Sequence, residues 1–255
     1  MSSPVVSIAT ESPASEEGGS HTVKVQQRVR EMILAGALPA GLRITELGMV
    51  ERLGVSRTPI RTALIRLEQE GLLQMLPSGG YVVRTFSEED VAAAIDLRGT
   101  MEGMVARRVA ERGVDAASLA QAREILRAID ALLERSEFGD VAFEQYAHLN
   151  QQFHECLRSW SPSPMLCREL ERVCSMPFAS PSGFVNLHVN SPRARDMLLV
   201  AHTQHWQVLE AIAAREGARA EAILREHSRI ALSNVRLALA QSQTHLPGVG
   251  LIKTG

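Results

Sequence analysis

Apolar positions along the first third of the chain recur at helical spacing, interrupted by turn residues. Val25, Val29, Met32 and Ile33 predict a helix over 23–35, and GALPAG then breaks it. Leu42, Arg43 and Ile44 fit a short strand. Thr45 opens a second helix that runs to Leu53 and stops at Gly54. Ser56 is placed to cap a third helix, with Pro59 in its first turn, where a missing N–H costs little. Ile60, Ala63, Leu64 and Leu67 give that helix a buried face. LLQML (72–76) and YVVR (81–84) flank Pro77-Ser78-Gly79-Gly80 and predict a β-hairpin.

Beyond residue 86 the two-residue alternation disappears. Ser87 and Asp90 have capping-box spacing and open a long helix to about Ala110. Asp115 caps a second helix, which ends near Ser136. Helical patterns then cover 139–159, 164–177, 192–215 and 218–241, separated by short connections and one irregular loop, SPSGFVNLHVNSPR (180–193). Six helices so joined predict an antiparallel bundle. The fold expected is mainly α: three helices and a small hairpin, followed by an all-α bundle. The divisions expected are a disordered leader (1–21), a first domain (22–85), a helical second domain (86–241) and a flexible tail (242–255).

Composition adds three exclusions. With 45% hydrophobic and 22% charged residues, the chain is not disordered as a whole. No apolar run reaches the roughly 18 residues of a membrane helix, and the Ser-, Glu- and Gly-rich leader has no secretory pattern. Three cysteines without a CxxC pair fit a reducing cytoplasm. The net charge of −2 argues against a nucleic-acid partner until its distribution is read. Residues 21–85 carry +4, the leader −3 and the remainder −3. A basic module joined to an acidic one means that only the first meets phosphate.

The basic module also has the right geometry. A helix closed by glycine and followed by a capped helix is a helix-turn-helix. The third helix presents Arg57, Thr58, Arg61 and Thr62 at its N-terminal end, with Arg57 and Arg61 one turn apart. A guanidinium can bond guanine O6 and N7 as a fork, whereas threonine hydroxyls reach phosphates. A solvated arginine face is the plainer alternative. The run LGVSRTPIRTALIRLEQEGLLQMLPSGGYVV (53–83), with ILAGALPAGLRITELGMVERL upstream, resembles the winged helix-turn-helix of the GntR family of bacterial regulators. The resemblance implies that Arg57 and Arg61 touch bases or phosphates, that Ser56 and Thr58 position the helix, and that Gly80 shapes the wing. It makes Arg43 and Arg52 backbone contacts. Two positions depart from the family pattern: Ser78 and Gly79 stand where a basic residue is usual at the wing tip, and Thr62 replaces a glutamate.

The bundle holds most of the histidines. Asn150 and His154 are one turn apart, His202 and His205 three residues apart, and His227 lies on the last helix. One oxygen and three imidazoles from three helices can make a divalent-metal site with open positions. Scattered caps and surface histidines (His148 and His188 among them) are the plainer alternative, and no HExxH spacing is present. AIDLRGTMEGMVARRVAERG (94–113), LNQQFHECL and HTQHWQVLEAIAAREGARAEAILREHS (202–228) resemble the FCD ligand domain of the FadR-like branch of the same family. By position, this implies the ligands Asn150, His154, His205 and His227, holding zinc or nickel. Asn150 departs from the usual aspartate, which removes a negative charge.

Arg98 falls on a helix whose apolar face should be buried, so it needs a partner. Glu102, one turn on, is one candidate. The carboxylate of a bound ligand is the other. Tyr146, Gln152 and Asn234 are candidate pocket walls. The reading that joins these features is a non-enzymatic, cytoplasmic DNA-binding regulator. It would be a homodimeric repressor on a pseudo-palindromic operator, responding to a small organic acid. The competing readings are a metal-dependent hydrolase and a regulator that answers to metal alone.

Overall fold

The computed structural model describes residues 14–135, 138–181, 192–240 and 248–253. They fall into two compact units.

The first unit is built from α1 (Ala14–Leu34), β1 (Arg43–Ile44), α2 (Glu46–Leu53), α3 (Arg57–Gln69), β2 (Leu73–Met75) and β3 (Tyr81–Val83). The Thr45 hydroxyl accepts from the Gly48 N–H, and Gly54 takes the left-handed conformation that ends α2. Ser56 occupies the N-cap position of α3, yet its hydroxyl makes no capping bond, contrary to the expected role. Ile60, Ala63, Leu64 and Leu67 are fully buried and fix which face of α3 points outward. Each large side chain so buried contributes about 2 kcal/mol. The hairpin is part of a three-stranded antiparallel sheet of order β1-β3-β2, with Ile44 opposite Tyr81. Helix α1 begins at Ala14, so the leader expected over 1–21 overlaps a helix. The rest of the leader lies outside the described residues.

The second unit holds α4 (Glu88–Arg112), α5 (Ala116–Leu133), α6 (Asp140–Ser159), α7 (Pro164–Cys174), α8 (Pro192–Ala213) and α9 (Gly217–Ala240). Ser87 and Asp90 form the full capping box, and Asp115 caps α5 through Ser118. The main core joins Val105, Val109, Leu126, Ile129, Phe143, Phe153, Val208 and Leu224. Helix α4 packs along α9, and glycines make this possible. A Cβ on Gly99 would sit 2.1 Å from Ser228 Oγ, and one on Gly103 2.9 Å from the Glu221 carbonyl. The tail predicted to be flexible over 242–255 is partly ordered. Val249–Leu251 form a 3-10 turn, and Ile252 bridges Phe86 in parallel. Val249, Leu251 and Ile252 are buried, a tertiary effect that local periodicity does not carry. Most of the irregular loop 180–193, including His188, lies outside the described residues.

Candidate functional site

Each unit carries one candidate site. In the first, the buried stripe of α3 turns Arg57, Thr58 and Arg61 outward. Arg57 and Arg61 stay highly exposed, yet share one anion: Arg57 Nε donates to Glu46 Oε2 at 2.7 Å, and Arg61 Nε lies 3.8 Å from Glu46 Oε1. Sequence reasoning missed Glu46, because nothing in the spacing joins the start of α2 to α3. Thr62 bonds back to the Thr58 carbonyl. Arg52 donates to the Ala37 carbonyl. Gly80 has φ +79°, and a Cβ there would meet the Ile44 carbonyl at 2.8 Å, so the wing needs glycine at this position. The wing tip lacks a basic residue of its own. Arg43 supplies the charge from β1, donating to the Ser78 and Gly79 carbonyls at 3.3 and 2.9 Å.

In the second unit, His154 from α6, His205 from α8 and His227 from α9 converge. Their potential ligand atoms all lie within 4.8 Å of one another. His205 Nε2 and His227 Nε2 are 3.1 Å apart. Two nitrogens at about 2.1 Å from one metal are roughly 3.0 Å apart at right angles, so this spacing fits a shared ion. The buried His154 Nε2 has no hydrogen-bond partner in the protein, as a waiting ligand atom should not. Two of the three opposite ring nitrogens are held in turn, while the buried His205 Nδ1 has no hydrogen-bond partner. His154 Nδ1 donates to Glu102 Oε1 at 2.8 Å, and His227 Nδ1 lies 3.2 Å from Gln204 Oε1. A carboxylate or carbonyl on Nδ1 fixes the tautomer that offers its Nε2 lone pair to a metal.

Burial pushes the His205 imidazolium well below its ordinary pKa, helped by His227 and His154. Burial likewise takes His227 down to about 3, against the pull of Glu102. Both rings are therefore neutral at neutral pH, the form that binds metal. Burial alone would raise the Glu102 carboxyl, but His154 and then Arg98 outweigh it and bring it down to about 2.

The remaining predicted residues divide. Arg98, Tyr146, Asn150, His227 and Asn234 line one cavity, together with Pro181, Met197 and Ile230. Asn150 is buried one turn before His154 and donates to the Pro181 carbonyl at 3.5 Å. Glu102 is not a wall of that cavity, contrary to its expected place as a ligand contact. The opposite face of the His154 ring claims it. Arg98 Nε is 3.9 Å from Glu102 Oε2, an ion pair without a hydrogen bond, while its Nη2 donates to the Ser228 carbonyl at 3.5 Å. Gln152 pairs with His148 on the exposed side of α6, away from the cavity. His202 is drawn off to Asp130, which also accepts from Trp206, and this separates it from the cluster. Gln204 carried no signal in the sequence, since it adjoins His205 without sharing its helical face.

Comparisons with known proteins identify both units. Residues 21–83 match the bacterial regulatory proteins of the gntR family, and residues 93–229 match the FCD domain. An HTH-type transcriptional regulator of Agrobacterium vitis is 30% identical over 131 residues, 51% of this chain and 74% of that protein. The HTH-type transcriptional repressor RspR of Escherichia coli is 27% identical, over 84% of this chain and 88% of its own length. Among solved structures, E. coli McbR/YncC superposes with a TM-score of 0.61 at 22% identity, covering 87% of this chain and 98% of that one. The chain belongs to the GntR family of bacterial regulatory proteins, and it is a transcriptional regulator with a winged helix-turn-helix followed by an FCD domain.

Proposed function

We propose that this regulator is a homodimeric, cytoplasmic repressor whose grip on a pseudo-palindromic operator is set by a small carboxylate bound at a divalent metal. The observation that carries the sensing half is the convergence of His154, His205 and His227 beside a cavity that also presents Arg98. The three imidazoles and the Asn150 amide would hold the ion, zinc or nickel by their donor chemistry, and it would supply Lewis acidity for a carboxylate. Arg98, whose buried Nε forms an ion pair with Glu102 but no hydrogen bond, would bind the other end through charge-assisted hydrogen bonds. Tyr146 and Asn234 close the wall.

The DNA half rests on Arg57 and Arg61, which enter the major groove, with Ser56, Thr58 and Thr62 near phosphates. Arg43, Arg52 and Gly80 serve the backbone contacts of the wing and its flank. Repression follows the behaviour named for RspR. Enzymatic hydrolysis is disfavoured because Glu102, the carboxylate found beside the cluster, is engaged on the Nδ1 side of His154 and by Arg98. A regulator that answers to metal alone differs in a single respect, having no need of Arg98.

The test is a thermal-shift panel of carboxylates with the zinc-loaded protein, alongside duplex binding at its own upstream promoter. A carboxylate should raise the melting temperature and change duplex affinity in the wild type, and do neither in Arg98→Ala. If no carboxylate acts while zinc does, the metal-only reading holds. Absence of sequence-selective duplex binding at any salt would sink the proposal.

A further inference from the structure

Large apolar side chains gather on the face of the first unit that carries its arginines. Leu47, Ile65 and Met75 are exposed there, Leu47 at 66% and Met75 at 62%. They come from α2, α3 and β2, yet line one groove of about 570 Å³. Arg57 and Arg61 line the same groove, and so do the carboxylates of Glu46 and Glu68. The local structure dictates this. Met49 anchors α2 in the core, and residues two apart on a helix point about 200° apart, so Leu47 faces outward. On α3, Arg57, Arg61 and Ile65 recur every four residues, so one ridge is basic at its start and apolar further along. A single exposed leucine needs no explanation, but three converging apolar side chains mark a surface that is covered in use. Charge decides what covers it. Two guanidiniums draw in a polyanion, whereas Glu46 and Glu68 repel its phosphates, so a base edge is what meets the groove. On the major-groove edge of a base pair, the apolar group is the C5-methyl of thymine.

We infer that Leu47 reads a thymine through its methyl group, beside the base held by Arg57, with Ile65 and Met75 continuing the apolar seat. Glu46 links the two readers. It adjoins Leu47 in sequence and accepts from Arg57 Nε at 2.7 Å, so leucine and guanidinium are positioned by one contact. They divide the recognition between them. The guanidinium selects guanine through O6 and N7. The leucine selects thymine against cytosine, which presents an amino donor and no methyl on that edge. The two contacts also differ in their response to salt. An arginine meeting the polyanion is screened, whereas burial of a methyl group carries no charge and is not. Part of the sequence preference of this unit is therefore independent of ionic strength.

This inference rests on the reading above that Arg57 and Arg61 enter the major groove. Its test uses the full chain and duplexes that the wild type selects from random DNA. Each thymine of a selected duplex is replaced in turn by uracil, which removes the methyl group and keeps every hydrogen-bonding atom. At one thymine per half-site the wild type should lose affinity about three- to fivefold, the effect of returning one methyl group to water. The factor should be the same at low and high salt. Leu47→Ala should bind the thymine and uracil duplexes equally, and Leu47→Met should keep most of the preference. Leu47 is exposed, so both variants should melt at the wild-type temperature. Uracil tolerated at every thymine overturns the inference. So does a uracil penalty that persists undiminished in Leu47→Ala. If the wild type selects no duplex at any salt, the major-groove reading falls and the leucine contact with it. Selective binding that is blind to uracil sinks the leucine contact alone.

Discussion

Glu102 Oε1 lies 2.8 Å from His154 Nδ1, with both side chains buried, so a carboxylate fixes the orientation of the His154 ring. Replacing the carboxylate by its amide keeps the shape and removes the charge. Glu102→Gln should weaken zinc binding about 10- to 100-fold, the usual cost of losing the partner of a metal-bound histidine. Calorimetric titration of the apo protein with zinc measures this. Unchanged affinity would show that the contact is a structural ion pair only.

In the proposed site the fourth donor is the neutral Asn150 amide, and a carboxylate in its place should bind a metal more tightly. Asn150→Asp is expected to raise zinc affinity by at least tenfold, because a carboxylate is a stronger ligand than an amide oxygen. Zinc at 100 times its dissociation constant should stabilise the wild type by about 2.7 kcal/mol, seen as a higher melting temperature that chelation reverses. His205→Ala should abolish that shift, since His205 Nε2 lies 3.1 Å from His227 Nε2 at the centre of the cluster.

In the first unit, Arg57 and Arg61 share the Glu46 carboxylate, which leaves their outer guanidinium edges aimed at solvent. Alanine at either arginine should cost about 1–3 kcal/mol of operator affinity and leave zinc binding intact. Glu46→Gln should act differently. Removing an anion from the DNA-facing surface strengthens non-specific binding, while untethering the arginines lowers selectivity. Competition between selected and scrambled duplexes separates the two effects. An unchanged selectivity ratio would leave Glu46 with no positioning role.

Much of this was legible in the sequence because the information is local. Capping at Thr45, Ser87 and Asp115, the α3 stripe and the six later helices all depend on residues within a few positions of one another. Long-range pairings were not legible. Glu102 reaches His154 across 52 positions, and Leu251 reaches Phe86 from the far side of the chain. Gln152 misled because it is two residues before His154, a spacing that puts it on another face of α6. The histidines show the same limit: spacing cannot say that His202 turns to Asp130 while His205 turns inward.

Helix α4 approaches α9 so closely that Gly99 has no space for a methyl group, its nearest obstacle being Ser228. Ser228 adjoins His227, so any outward shift of α9 carries a member of the histidine cluster with it. Gly99→Ala is expected to destabilise the fold by about 1–3 kcal/mol through overpacking and to weaken zinc binding as well. Gly99→Ala combined with Ser228→Gly should recover both. Denaturant unfolding and zinc titration of the single and double variants check this. A double variant no better than the single one would place the strain elsewhere.

Arg43 decides how much charge the wing brings to DNA. Ser78 and Gly79 carry none, but the Arg43 guanidinium is bound to their carbonyls at 3.3 and 2.9 Å, so a full positive charge sits at the tip. An arginine that spends one nitrogen on backbone carbonyls still has donors for a phosphate oxygen. Contacts of that kind carry no sequence information and release one counterion. Arg43→Ala should therefore weaken selected and scrambled duplexes by similar factors and reduce the slope of log affinity against log salt by about 1. Arg43→Lys should keep the slope, because the charge remains, yet lose part of the affinity, because an ammonium cannot reproduce the planar fork that spans the turn. A slope unchanged in Arg43→Ala would mean that the guanidinium only braces the hairpin, and the loss would then appear as a lower melting temperature instead.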